Sequence, residues 1–183
     1  MYPGRNRAHR RSRDFHPGQE NENGQASIQA INWGLINETK DFEKYCNLTV
    51  RALDELLDYQ DYPVKAAEVS TKARRSLGVG YIGLAHYLAK NGVKYSDKKA
   101  LTKVHELSEA FQYYLLVASN ELAKEKGACE YFSRTKYSDG ILPIDTYKKE
   151  LDEICSITLK YDWSALRNDI SAHGLRHSTL SAQ

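Results

Sequence analysis

The sequence predicts a mainly α protein with a few short strands, and three observations carry that prediction. Apolar residues recur at helical spacing in long runs, polar caps and glycine stops bracket those runs, and strand candidates are few and short. A length of 183 residues suits one domain with its own core, and 41% hydrophobic with 27% charged residues is the composition of an ordinary folded chain. Thirteen tyrosines against four phenylalanines point to many positions that are apolar on one side and wet on the other.

The chain opens with MYPGRNRAHRRSRDFHPGQENENGQ, which has two Pro-Gly dipeptides and almost no apolar residues. It cannot bury enough surface to offset the entropy of ordering, so residues 1 to 21 are expected to be a flexible basic arm. Within residues 1 to 19, Arg5, Arg7, Arg10, Arg11 and Arg13 face Asp14 alone, which outweighs the whole chain's net charge of +2 and leaves the remainder net acidic. Such an arm can contact nucleic-acid phosphates or be a solvated extension. Without interleaved aromatics or a binding motif, nucleic acid is the less favoured partner.

The elements follow in order. After the apolar stretch SIQAINWGLI, Asn37 or Thr39 can cap a helix with Asp41 and Glu43 in its first turn. Phe42, Tyr45, Cys46, Leu53, Leu56 and Leu57 form its apolar face, and Pro63 closes the segment. LAHYLAK, between Gly83 and Gly92, reads as a short second helix. A third starts at Ser96 or Asp97, carries Leu101, Val104, Leu107, Phe111, Tyr114, Leu115, Ala118 and Leu122, and stops at Gly127, about seven turns long. Two shorter helices are expected, one after Pro143 and Asp145 with Tyr147, Leu151 and Ile154, the other after Asp162 with Trp163, Leu166 and Ile170 up to Gly174. The strand candidates are SLGVGYI and LRHSTLSA.

Chemical motifs are thin. Gly78, Gly80 and Gly83 match the dinucleotide pattern G-x-G-x-x-G, with Asp97 downstream. That site needs an apolar feeding strand, whereas TKARRSL carries charges at Lys72, Arg74 and Arg75, so a strand-to-helix junction with close backbone packing is the better reading. His173 and His177 stand four apart but Gly174 separates them, so they read as a helix-end and a surface histidine rather than metal ligands. Cys46, Cys129 and Cys155 are scattered and odd in number, which suits buried thiols in a reducing cytoplasm. No apolar run reaches the roughly 20 residues that a membrane helix needs.

Six blocks then carry a resemblance: VRALDELLDYQDYP, ARRSLGVGYIGLAHYLAKNGVKYSD, AFQYYLLVASNELAKEKGAC, GILPIDTYKKELD, YDWSALRNDI and HGLRHSTLSA. In this order they resemble the large, catalytic subunit of class Ia ribonucleoside-diphosphate reductases of bacteria and their T-even-like phages, over residues 22 to 183. The resemblance implies a segment of a ten-stranded α/β barrel, with SLGVGYIG a barrel strand running into its outer helix. It implies an activity too, the reduction of ribonucleoside diphosphates to their deoxy forms by thiyl-radical chemistry, in which a cysteine pair supplies the electrons. The metal and tyrosyl radical reside in a small (beta) subunit partner, and thioredoxin or glutaredoxin restores the cysteine pair.

Departures from the family pattern qualify those expectations. The radical-bearing Asn-x-Cys-x-Glu segment has no counterpart, the basic arm standing in its place. Where the family reads roughly Cys-Thr-Leu-Ser-Ala-Phe-Asn-Leu-Gly, this chain has Ala26 to Gly34, and alignment on Asn32 and Gly34 puts Ala26 at one reducing-cysteine position. An alanine methyl can neither donate a hydrogen atom nor form a disulfide. The resemblance therefore assigns no catalytic residue, no metal ligand and no cofactor to this chain. It puts Ser27 and Ile28 beside the base pocket as substrate-contacting walls. The phosphate-gripping loop that follows STLSA in the family is also missing, so the expectation is one piece of an interrupted gene, inactive alone and dependent on complementing large-subunit fragments. A different class of reading is a non-catalytic helical module whose basic arm binds nucleic acid.

Overall fold

The computed structural model describes residues 27 to 148, residue 150 and residues 158 to 181. The basic arm, Ala26, Cys155 and the body of the helix expected around Leu151 and Ile154 lie outside them. Eleven described residues, Trp163–His173, form the last helix, for which Asp162 is the N-cap, its carboxylate accepting from the Ala165 amide at 2.8 Å, and Gly174 the stop. The other helices are α1 (Asp41–Tyr59), α2 (Lys65–Arg74), α3 (Leu84–Lys90) and α4 (Lys98–Lys126), which makes the last one α5.

Three strands, β1 (Ser27–Asn32), β2 (Leu77–Ile82) and β3 (Leu180–Ser181), pair in the order β1-β2-β3, both pairings parallel. Parallel neighbours require crossovers, and helices supply them: α1 and α2 lie between β1 and β2, and α3 to α5 between β2 and β3. The sequence reading anticipated β2 but treated the stretch that forms β1 only as apolar, and the eight-residue run LRHSTLSA yields a two-residue described strand. It also left α2 out. KAAEVSTKAR buries only Ala67, Thr71 and Ala73, a stripe of small residues that gives little apolar periodicity.

Packing follows from the helical stripes. On α1, Phe42, Cys46, Val50, Leu53 and Leu57 are buried, and they face Leu107, Phe111, Leu115, Ala118 and Leu122 of α4 in one continuous core. Tyr45, Leu56 and Leu101, expected in those stripes, are instead 42%, 48% and 45% exposed, because each sits at the edge of its stripe rather than its centre. Trp33 closes the core beneath the sheet: its ring stacks on Tyr81 at 4.1 Å and meets Phe42 and Phe111 edge-on at 5.7 and 5.5 Å.

Two caps differ from expectation. Neither Asn37 nor Thr39 caps α1. Lys40 stands at the N-cap without a side-chain bond, and Asp41 reaches back so that its carboxylate accepts from the Asn37 and Glu38 amides at 2.9 and 3.1 Å. Those bonds, opposed weakly by burial, hold the Asp41 carboxyl below the usual carboxylate range. Asp97 is the N-cap of α4, but its carboxylate accepts from the Lys94 amide, not from the helix.

Candidate functional site: an open sheet face and the buried polar hub behind it

Strand alternation sorts the sheet into two faces. Ile31, Leu77 and Val79 turn toward the helices and are buried. The opposite face carries Ile28, Ala30 and Asn32 on β1 beside Gly78, Gly80 and Ile82 on β2, paired in that register. Ile28 is 70% and Ile82 56% exposed and Ala30 and Asn32 are exposed with them, while Gly78 and Gly80 are buried between, so the open part of this face is its β1 side and the end of β2. None of the six positions ionises. The face can enclose and shape a ligand, but it offers no group that moves a proton.

Of the residues expected beside a base pocket, Ser27 opens β1 opposite Leu77 and Ile28 pairs with Gly78 on the open face. Ala26, at the expected reducing-cysteine position, lies outside the described residues. At the carboxyl ends of the strands, the Asn32 side chain accepts from the Gly34 amide at 2.9 Å. Gly83 sits directly against it in the left-handed region at φ 75°, and a Cβ there would come within 2.2 Å of Asn32 Oδ1. The Gly78, Gly80 and Gly83 motif thus serves a junction where β2 turns into α3, with side chain and backbone at Gly83 too close for any larger residue.

Behind the sheet lies a feature that the sequence reading missed. His177, expected on the surface, is fully buried, because the segment after α5 folds in between α1 and α4. Its Nε2 lies 3.1 Å from Asp54 Oδ1 and its Nδ1 2.8 Å from Ser119 Oγ. Ionised Asp54 can only accept, so Nε2 carries the proton and Ser119 donates to Nδ1. Around the same carboxylate stand Arg75 (2.6 Å), Arg176 (3.3 Å) and Lys126 (3.5 Å), and Arg75 also pairs with Asp58 at 2.8 Å. Burial pushes the Asp54 carboxyl up, but the His177 bond and the Arg75 charge outweigh it and hold it well below the carboxylate range. Burial likewise depresses His177, Asp54 opposing without prevailing.

Ser119, His177 and Asp54 have the composition of a hydrolase triad but not its arrangement. Nδ1 faces the serine and Nε2 the aspartate, the reverse of a working triad, and all three side chains are closed to solvent. Their role is structural. Arg75, held at φ 49° where non-glycine residues rarely sit, is pinned by four hydrogen bonds to carboxylate and carbonyl acceptors on α1. It fixes the turn from α2 into β2. Ser178 donates to the Arg74 carbonyl and the Leu77 amide to the Thr179 carbonyl, each at 2.9 Å, which lays β3 beside β2. The hub thereby sets where the open face stands. A polar Asp54 on the buried stripe between Leu53 and Leu57 was the available sequence signal.

Cys46 and Cys129 are buried, as expected, and desolvation raises both thiols. Among the described residues no helix is long and apolar enough to cross a membrane, and no three or more histidines, cysteines or carboxylates converge as a metal site.

A short parallel sheet with helical crossovers packed on one face and a bare, non-ionising surface on the other defines a segment of an α/β scaffold. The family model for the ribonucleotide reductase barrel domain matches residues 31–183, and the chain belongs to that family. It is 57% identical over 164 residues to the ribonucleoside-diphosphate reductase subunit alpha of Haemophilus influenzae, covering 88% of this chain and 22% of that protein. With the ribonucleoside-diphosphate reductase 1 subunit alpha of Escherichia coli K12 the identity is 61% over 126 residues, 69% of this chain and 17% of the relative. With the phage T4 subunit alpha it is 55% over 133 residues, 73% and 17%. The chain therefore spans about a fifth of the length of these relatives.

Proposed function

We propose that residues 22 to 183 form one wall of the ten-stranded barrel of a ribonucleoside-diphosphate reductase large subunit, with residues 1 to 21 an arm outside the family. The bare sheet face supports this reading most directly. A parallel sheet is ordinarily covered on both sides, and an uncovered face with Ile28 and Ile82 exposed calls for further barrel to close over it. Ile28 then lines the pocket for the base of a ribonucleoside diphosphate from the open face, with Ser27 beside it at the start of β1, in the cytoplasm of a bacterium or a phage-infected cell. The remaining large-subunit segments supply the radical and phosphate-binding residues. The small (beta) subunit supplies the metal-based tyrosyl radical, and thioredoxin or glutaredoxin the reducing equivalents. With Ala26 at a reducing-cysteine position, the chain contributes shape and no electrons.

The experiment is reconstitution of the barrel. The full chain is mixed with the remaining segments of the Haemophilus influenzae relative's alpha subunit and resolved by size. A one-to-one complex is expected, and an Ile28→Glu, Ile82→Glu variant should fail to form it while keeping its helical circular dichroism. Failure of the unaltered chain to associate would overturn the reading.

A further inference from the structure

The amino ends of β2 and β3 open on a cavity of about 610 Å³, lined by Arg74, Tyr131, Arg134, Lys136, Leu142 and Thr179 among others. It lies at the other end of the strands from Asn32 and Gly83, because its Thr179 wall is the residue whose carbonyl receives the first amide of β2. The cavity concentrates positive charge. The guanidinium carbons of Arg74 and Arg134 lie 5.0 and 4.4 Å from the centroid of one ring, Tyr131, so two like charges are held no farther apart than those two distances allow. Lys136 adds a third. Neither Arg134 nor Lys136 has a carboxylate within ion-pair distance among the described residues, although both line a concave surface where like charges reinforce one another.

The wall that carries these cations is stiff. The Tyr131 amide donates to the Ala73 carbonyl at 3.2 Å, and the Arg134 amide to the Tyr131 carbonyl at 3.0 Å. The Thr135 hydroxyl donates to the Phe132 carbonyl and the Ser138 hydroxyl to the Thr135 carbonyl, both at 2.7 Å. A guanidinium already laid on an aromatic ring loses less freedom on binding than a free one, and its N–H fork suits a tetrahedral oxyanion. Beside the cations, Leu142 and Pro143 give an apolar wall with room for the organic part of an ester.

We propose that this cavity is a binding site for a small phosphate-bearing anion, separate from the open sheet face and independent of the reading given to that face. The shared chemistry is a phosphate group on Arg134 and Lys136, and its source is either an inorganic phosphate chain or a phosphate ester.

Equilibrium dialysis of the full chain against pyrophosphate and against phenyl phosphate, at about 0.15 M salt to screen diffuse attraction, tests it. Saturable one-to-one binding with Kd below about 1 mM is expected. Arg134→Ala with Lys136→Ala should weaken it at least tenfold, with far-ultraviolet circular dichroism unchanged because both side chains are exposed. Arg134→Lys, which keeps the charge and loses the fork, should fall between. Tighter pyrophosphate identifies an inorganic chain and tighter phenyl phosphate an ester, each in support. Absence of saturation by either ligand, or equal binding by the double variant, overturns the proposal.

Discussion

Replacing Asp54 with asparagine keeps the side chain's shape and removes the charge around which the hub is built. Arg75 is 4% exposed and would lose one of its two carboxylates, and His177 would lose the acceptor for its Nε2 proton. Breaking one side of a buried ion pair costs about 3–5 kcal/mol, and because Arg75 keeps both bonds to Asp58 the low end, about 3 kcal/mol, applies. That is a large part of the roughly 5–15 kcal/mol that holds a domain folded. With a denaturant slope of about 2 kcal/mol per molar, the urea midpoint of Asp54→Asn should fall by about 1.5 M. The assay is urea unfolding of the full chain followed by circular dichroism. Asp58→Asn is the comparison: its side chain is 43% exposed, water screens it, and its loss should cost no more than about 1 kcal/mol. Equal midpoints for the two variants would refute the hub as the element that locks α1, α4 and the strand entries together.

Acid should unfold the chain in two stages. His177 binds a proton less readily folded than unfolded, so stability is full above its unfolded value of about 6.5 and drops as pH falls through the lower folded value. Asp41, Asp54, Asp58 and Asp145 are all depressed in the fold, so a second loss follows as pH falls below the ordinary aspartate value of about 3.8. Melting temperature against pH reads both stages; His177→Gln should flatten the first, and a midpoint that rises on acidification would contradict the assignment. Gly83→Ala should cost about 2 kcal/mol, from a left-handed backbone and a Cβ driven into Asn32 Oδ1. Adding Asn32→Ala should return part of that loss in a double-mutant cycle, whereas strict additivity would show that the contact is not the cause.

Much of the helical layer was legible because its signals are local. α4 (Lys98–Lys126) lies between Asp97 and Gly127 as its stripe and glycine stop dictate, and α5 fits its Asp162 cap and Gly174 stop. What escaped depends on distant partners. β1 earns its conformation from pairing with β2, fifty residues on in the register Ser27 to Leu77, and nothing within SIQAIN alone distinguishes that from an apolar loop. His177 is buried by a contact with Asp54, 123 positions away, while its own neighbours after Gly174 read as a surface tail. The glycine motif reads as a strand-to-helix junction from its charged feeder segment, and the structure adds the partner the sequence does not name, since the need for Gly83 comes from Asn32. Of the site, the family blocks pointed to Ser27 and Ile28, and the strand register placed Ile28 on the bare face.

The most direct test of the account is chemical turnover with the wall in place. The full chain would be combined with the remaining alpha-subunit segments of a relative, its small subunit, thioredoxin and CDP, and deoxy-CDP measured by chromatography. The account predicts no product from the unaltered chain and product from Ala26→Cys, since a thiol at that position restores the missing electron donor. Deoxy-CDP formed at the same rate with Ala26 in place would contradict it.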